Sequence, residues 1–115
     1  MIEINSSRVN VMVSNMDLAI DFYTKKLGLT LLNHYGDYYA EIQAPELLIG
    51  LHSASESTTV GNNISIGFGV SNFDGLIEDL KLTGIEFEIE NDGWIRLAYF
   101  YDLDKNQLFF AENKG

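Results

Sequence analysis

The chain has no cysteine, a single proline, and only 7 basic residues against 17 acidic ones in 115 positions. The absence of cysteine excludes disulfide bonds and thiolate chemistry. No apolar run approaches the ~20 residues that a membrane-spanning helix needs, and no basic-then-apolar leader opens the chain. We therefore expect a cytoplasmic protein with one domain over residues 1–115, a length that can bury a hydrophobic core.

The shortage of basic residues leaves a net charge of −10. A field of this sign repels nucleic-acid phosphates and anionic lipids, so we expect neither a nucleic-acid nor a membrane partner. It attracts cationic ligands. The same acidity also promotes solubility, which by itself would explain the composition.

One five-residue sequence motif occurs twice in the chain. Val-Ser-Asn-Met-Asp at 13–17 returns as Val-Ser-Asn-Phe-Asp at 70–74, and similar apolar spacing follows each copy. Such a repeat indicates a duplicated supersecondary unit. Because the period is about half of the chain, it predicts two similar modules.

Each module reads as a strand, a helix and three further strands. In the first, strands are predicted at 8–14, 29–33, 38–43 and 47–52, with a helix capped by Asn15 and ended by Gly28. A polar linker covers 53–63. In the second, strands are predicted at 64–70, 85–89, 94–101 and 107–111, with a helix from Asn72 to near Gly84. The modules therefore span about 8–52 and 64–112.

The leading strands each have an apolar face and an unusual one. The unusual face of the first strand carries Arg8, Asn10 and Met12, and that of the second carries Ser65, Gly67 and Gly69. A glycine inside a strand contributes no packing and often marks space kept open. Antiparallel sheets also commonly have a solvated outer face. Periodicity does not distinguish a cavity wall from such a face.

Two segments carry a resemblance to a known family. Residues 11–13, 19–23 and 27–29 resemble the opening signature of the vicinal oxygen chelate superfamily, which includes glyoxalases, bleomycin-resistance proteins and extradiol dioxygenases. Residues 99–106 resemble its closing Asp-Pro-x-Gly-Asn turn, with Leu103 and Lys105 replacing proline and glycine. The resemblance implies an α+β fold of two tandem βαβββ modules whose curved mixed sheets surround a cavity. It also implies a homodimer, since a partner often completes the cavity.

The resemblance further indicates where metal ligands would lie. The enzymes of the superfamily place them at positions that correspond here to Arg8, Gly50, Ser65 and Phe109. None of these is a competent ligand for a divalent ion, and arginine is permanently cationic. We therefore expect no metal, no other cofactor and no catalytic residue.

The remaining inward positions are aromatic, small or polar. Tyr99 and Tyr101 share a strand face, and Phe109 follows on the next strand. Trp94 is expected near the mouth of the predicted cavity. Rigid aromatic walls with a few polar tips suit small-molecule ligands, although strand aromatics are also ordinary core residues. The predicted ligand-binding residues are Arg8, Asn10, Met12, His52, Ser65, Gly67, Trp94, Tyr99, Tyr101 and Phe109.

Three functions fit these patterns. The first is a metal-free binding protein, similar to the bleomycin-resistance proteins, that sequesters a cationic or aromatic drug or metabolite. The second is a metal-dependent lyase, isomerase or dioxygenase with non-standard ligands, such as Glu41, His52 and an acid from a partner subunit. The third is a regulatory or immunity-type module. Arg8 either pairs with an acid such as Glu41 or binds a ligand carboxylate or phosphate.

Overall fold

A computed structural model describes residues 7–54, 64–91, 93 and 95–112. The chain divides into two compact units, residues 1–60 and 61–115. Each unit holds one copy of the repeat. Among the described residues, no helix is both long and apolar enough to cross a membrane.

Unit 1 consists of a helix and a four-stranded mixed sheet. Its elements are β1 (Val9–Val13), α1 (Met16–Asp21), a π-helical segment (Phe22–Lys26), β2 (Thr30–Tyr35), β3 (Tyr39–Ala44) and β4 (Leu47–Ser53). The strand order is β1-β4-β3-β2. β1 runs parallel to β4, and the other neighbours are antiparallel.

The first helix begins and ends where the sequence predicts. The side chain of Asn15 accepts a hydrogen bond from the Leu18 amide at 3.0 Å, which satisfies one of the free amides of the first turn. Gly28 ends the helical region at φ +74°, a left-handed conformation that glycine adopts without strain. The widening to a π-helix after Asp21 was not predicted. There the Leu27 amide reaches back five residues to the Phe22 carbonyl.

The core of unit 1 lies between the helix and one face of the sheet. Alternate residues of the strands point toward the helix and are fully buried, among them Val13, Ile42 and Leu51. The helix contributes Ala19 and Tyr23. As predicted, the apolar face of β1 packs inward, and its Arg8–Asn10–Met12 face lies on the opposite side of the sheet.

Unit 2 repeats this plan. Its elements are β5 (Ser65–Val70), α2 (Phe73–Lys81), β6 (Glu88–Asn91), β7 (Arg96–Tyr101) and β8 (Gln107–Glu112). The order β5-β8-β7-β6 matches that of unit 1. Asn72 caps α2 by accepting from the Gly75 amide at 3.3 Å. The core is aromatic, with the rings of Phe100 and Phe110 stacked 4.8 Å apart.

A guanidinium joins α2 to the sheet. Arg96 donates two hydrogen bonds to Asp74, at 2.9 and 3.1 Å, and two to Glu112, at 3.2 and 2.6 Å. It also lies 4.7 Å from the centre of the Phe73 ring. Hydrogen bonds from Arg96 lower the pKa of Asp74, while those to Glu112 and Asp74 raise the pKa of Arg96. The start of the helix is thereby fixed to β7 and β8.

The turn between β7 and β8 is held by one buried carboxylate. Asp102 accepts hydrogen bonds from the amides of Asp104 and Asn106 at 2.9 and 2.8 Å, and from the Asn106 side chain at 2.8 Å. Lys105 lies within this turn at φ +64°. It occupies the left-handed position at which related turns carry glycine, so the backbone there is strained.

The predicted strand boundaries were mostly correct within two residues. The exception is the strand predicted at 85–89, which the structure places at Glu88–Asn91. Ile85 is instead buried, and its amide bonds to the Leu80 carbonyl at the end of α2. The strand predicted at 94–101 begins at Arg96, because Ile95 is not part of it, and Trp94 lies outside the described residues.

Candidate functional site

The predicted site residues of unit 1 share the sheet face that points away from the helix. Cross-strand partners on this face are Asn10 and Gly50, and Met12 and His52. Arg8 immediately precedes β1. With Ser7, Asn10 and Leu48 it lines a recess of about 370 Å³. The structure thus brings Arg8, Asn10, Met12 and His52 to one surface.

Glu41 lies at the centre of this surface and is well supplied with donors. The Asn33 amide donates to its Oε1 at 2.7 Å, and the Tyr39 hydroxyl donates to its Oε2 at 3.4 Å. Burial raises the pKa of Tyr39; Arg8 opposes that shift and Glu41 reinforces it, so the phenol remains a donor. Arg8 Nη1 lies 3.8 Å from Glu41 Oε2, which is the ion pair that the sequence suggested.

The space above Gly50 is occupied by polar side chains. A Cβ at this position would meet the Asn10 Oδ1 and, at 2.7 Å, the Tyr39 hydroxyl. Two side chains from neighbouring strands therefore close over the Gly50 backbone. A larger residue at this position would have to displace the ends of both.

His52 is exposed, at the edge of the same surface. Its Nδ1 lies 2.9 Å from the Ser53 carbonyl oxygen, which can only accept, so Nδ1 is the protonated nitrogen. Its ring meets that of Tyr39 edge-on at 6.3 Å.

The predicted site residues of unit 2 also share one sheet face, and strand register arranges them in rows. Glu88, Tyr99, Phe109 and Gly67 form the central row. On one side lies the row Tyr101, Gln107 and Ser65, and on the other the row Glu90, Leu97, Ala111 and Gly69. Trp94, the remaining predicted residue, lies outside the described residues.

The interpretation of Gly67 as open space was wrong. A Cβ there would collide with the Phe109 ring, meeting its Cε1 atom at 2.8 Å and two further ring carbons more closely still. The ring of Phe109 lies over the glycine backbone, with Tyr99 5.5 Å away on its other side. Gly67 therefore makes room for an aromatic ring of its own sheet.

Gly69 differs from Gly67, and its open surroundings fit a solvated outer face as well as a cavity wall. No atom lies within 4 Å of a Cβ built at Gly69. Its neighbour across the strands is the small Ala111. Beside the raised ring of Phe109, these two residues form a low step in the sheet surface, which we call the Gly69 step.

Carboxylates line the aromatic side of this face. Glu88 lies directly across from Tyr99, and Glu90 lies across from Leu97. Both acids are exposed. A sheet face with two half-buried rings, an exposed Tyr101 and two neighbouring carboxylates suits a planar group that bears positive charge.

The residues at the superfamily's metal-ligand positions do not fit a metal. Arg8 is cationic, the space above Gly50 is occupied, and Phe109 offers only a ring. Ser65 is a poor ligand for a divalent ion. Among residues 7–54, 64–91, 93 and 95–112, no three His, Cys, Asp or Glu side chains cluster closely enough to hold one.

Sequence reasoning missed several residues that shape these surfaces. Tyr39, Asn33 and Glu88 belong to them only because β2 and β6 pair with their neighbours in one register. The Arg96 contacts join residues 22 and 16 positions apart, and no local pattern signals them. Alternation within each strand was the one available signal, and it gives the face but not the cross-strand partner.

Comparisons with solved structures find the same fold. A fosfomycin resistance protein, FosX, from Listeria monocytogenes is 17% identical at a TM-score of 0.80, covering 99% of this chain and 96% of that one. A lactoylglutathione lyase from Agrobacterium tumefaciens is 12% identical at 0.80, covering 96% and 94%. A glyoxalase/bleomycin resistance protein/dioxygenase superfamily member from Sphaerobacter thermophilus is 23% identical at 0.79, covering 96% and 98%.

One sequence comparison identifies the family. No curated protein gives a significant match. A family model, however, matches residues 6–110, nearly the whole chain. With its two βαβββ units and this match, the chain belongs to the glyoxalase/bleomycin resistance protein/dioxygenase superfamily.

Proposed function

We propose that this chain is a metal-free, cytoplasmic small-molecule-binding member of its superfamily, which sequesters an aromatic, cationic drug or metabolite. The observation that carries the proposal is the face of unit 2, where the Gly69 step lies beside the Phe109 and Tyr99 rings. A planar group placed on the step would contact the ring edge on one side. Glu88 and Glu90 lie on β6, beyond β7 on the Tyr99 side of the same face, and would make the potential along that side favourable to a cation.

Sequestration needs affinity and no transition-state stabilisation. The donor chemistry at Arg8, Gly50, Ser65 and Phe109 supports binding over metal-assisted turnover. The acidic balance of the chain supports a cationic ligand, because a net charge of −10 raises the local concentration of cations.

The test is calorimetric titration of the full chain, pretreated with a chelator, with bleomycin and with cationic, neutral and anionic planar aromatic compounds. Binding that favours the cations supports the proposal. The variants Tyr99→Leu and Glu88→Gln should each weaken it, whereas Tyr38→Leu, which removes a tyrosine that is 77% exposed in unit 1, should not. No binding by any cation, or equal binding in all three variants, would contradict it.

Filling the step gives a second readout. Gly69→Val adds a β-branched side chain where no atom lies within 4 Å, so the fold should persist while ligand binding is lost. Unchanged affinity in a folded Gly69→Val protein would show that the ligand binds elsewhere.

The competing hypothesis is a metal-dependent lyase, isomerase or dioxygenase that takes its ligands from Glu41, His52 and a partner's acid. In the structure, Glu41 already accepts from Asn33 and Tyr39. Native mass spectrometry of the purified chain decides the matter, because stoichiometric Zn, Mn, Ni or Fe would favour the enzyme.

We also propose a homodimer. The edge strand β2 exposes Leu31, Leu32 and Tyr35, apolar surface that a second copy would cover. Light scattering of the eluting protein measures the mass directly, and a monomer at all concentrations would rule the dimer out.

A further inference from the structure

We propose that Arg8 and Asn10 form a binding site for a small-molecule oxyanion, a group that can present two oxygens to one guanidinium, such as a carboxylate or phosphate. The site lies wholly on unit 1. It does not depend on the ligand proposed for the face of unit 2, so either proposal can fail alone.

The first observation is that Arg8 is loosely held. Its closest approach to an acid is 3.8 Å, beyond hydrogen-bond distance, and its side chain is 51% exposed. Among the described residues, the guanidinium donates no hydrogen bond. By contrast, Arg96 donates four to two carboxylates. The donors of Arg8 are therefore available to a ligand.

The second observation is that both carboxylate oxygens of Glu41 accept hydrogen bonds from residues other than Arg8. Asn33 and Tyr39 already donate to its two oxygens, and its side chain is only 16% exposed. The nearby carboxylate is thus satisfied by neutral donors. It weakens the positive potential at Arg8 but does not occupy the guanidinium.

The third observation is the position of the guanidinium. It lies 5.3 Å from the centre of the Tyr39 ring, an interaction that restrains a flexible side chain. It borders the recess of about 370 Å³ that Asn10 and Leu48 also line. This volume admits a small acid with its tail against Leu48. The guanidinium would donate two parallel hydrogen bonds to the paired oxygens, and the Asn10 amide a third.

The net negative charge of the chain makes specific local donors necessary for anion binding. A net charge of −10 repels anions at long range, so any anion that binds must be held by local donors. Nonspecific association, the usual difficulty with weak anion sites, is disfavoured on this protein.

The experiment is an NMR titration of the full chain with inorganic phosphate and with acetate, at constant ionic strength maintained with chloride. The reporters are the Gly50 backbone amide and the Asn10 side-chain amide. We expect saturable shifts with dissociation constants of about 1–10 mM. If neither reporter showed saturable shifts, the proposal would be overturned.

Two charge-matched pairs of variants make the result specific. Arg8→Gln should abolish the shifts, and Lys25→Gln, which removes one exposed positive charge elsewhere in unit 1, should leave them. Glu41→Gln should tighten phosphate binding by about two- to fivefold, the effect expected of one exposed ion pair. Asp21→Asn changes the net charge equally and should tighten it less.

Each outcome of these measurements either supports or overturns the proposed oxyanion site. Equal tightening by Glu41→Gln and Asp21→Asn would mean that only overall charge matters, which overturns the site. Equal loss in Arg8→Gln and Lys25→Gln would do the same. Should Arg8→Gln fail to fold, the comparison of Glu41→Gln with Asp21→Asn still tests the proposal.

Discussion

The two glycines of β5 provide the sharpest test of the packing described above. Gly67 lies under the Phe109 ring, whereas Gly69, two residues along the same strand face, has open space above it. The same substitution, glycine to alanine, should therefore have opposite effects on stability at the two positions.

The magnitudes follow from the contacts. At Gly69, alanine meets no atom within 4 Å and removes the entropic cost of a strand glycine, a gain of about 0.5–1 kcal/mol. At Gly67, the new methyl group collides with Phe109, whose far side is limited by Tyr99 at 5.5 Å. Overpacking of this kind costs about 1–3 kcal/mol, of which the entropy gain returns only part. The two variants should differ by about 2 kcal/mol.

The assay is urea denaturation followed by circular dichroism, with the free energy of unfolding obtained by linear extrapolation. The decisive comparison repeats Gly67→Ala in a Phe109→Ala background. Without the ring the methyl group has space, so the substitution should become stabilising by about 0.5–1 kcal/mol. If Gly67→Ala were as benign as Gly69→Ala, or if its effect did not change without the ring, Phe109 would not cover Gly67.

Three further predictions concern unit 2. Lys105→Gly should raise the free energy of unfolding by about 1 kcal/mol in urea denaturation, because Lys105 is left-handed at φ +64°, and a loss of stability would argue against that conformation. Asp102→Ala should lower it by about 2–4 kcal/mol, since two amides and the Asn106 side chain lose a charged acceptor, with Asp37→Ala as the exposed control. In the folded chain the pKa of Asp74 lies below its ordinary value of 3.8. The contribution of Asp74 to the free energy of unfolding is therefore complete above pH 3.8 and is lost as the pH falls through the lowered pKa. Denaturation curves from pH 5 to 2 should therefore fall less steeply in Asp74→Asn, and parallel curves would contradict the pairing with Arg96.

The sequence was sufficient for the order and type of the elements because each signal is local. Asn15 and Asn72 cap helices through residues three positions away, and Gly28 and Gly84 end the helical regions at positive φ. The alternation in β1 fixed which residues face the helix. These features need no knowledge of the partner strand.

The surfaces were less predictable because they depend on register. A glycine within a strand is equally consistent with empty space and with a ring from the next strand, and only the pairing of Gly67 with Phe109 distinguishes the two. The pairing of Arg8 with Glu41 was one of two alternatives that the sequence left open. The looseness of this pair was not predicted, because the donors that satisfy Glu41 come from β2 and β3.

The two units fill one equivalent cross-strand pair in opposite ways. In unit 1 the pair is Asn10 and Gly50, and in unit 2 it is Gly67 and Phe109. Each combines a larger side chain with a glycine, but the glycine lies on β4 in the first unit and on β5 in the second. In both cases the larger side chain covers the glycine backbone. A ligating side chain introduced at Gly50 or Gly67 alone would therefore collide with its partner. A metal ligand introduced at Gly50 would have to displace the side-chain ends of both Asn10 and Tyr39, so the packing over Gly50 disfavours a ligating side chain at this position.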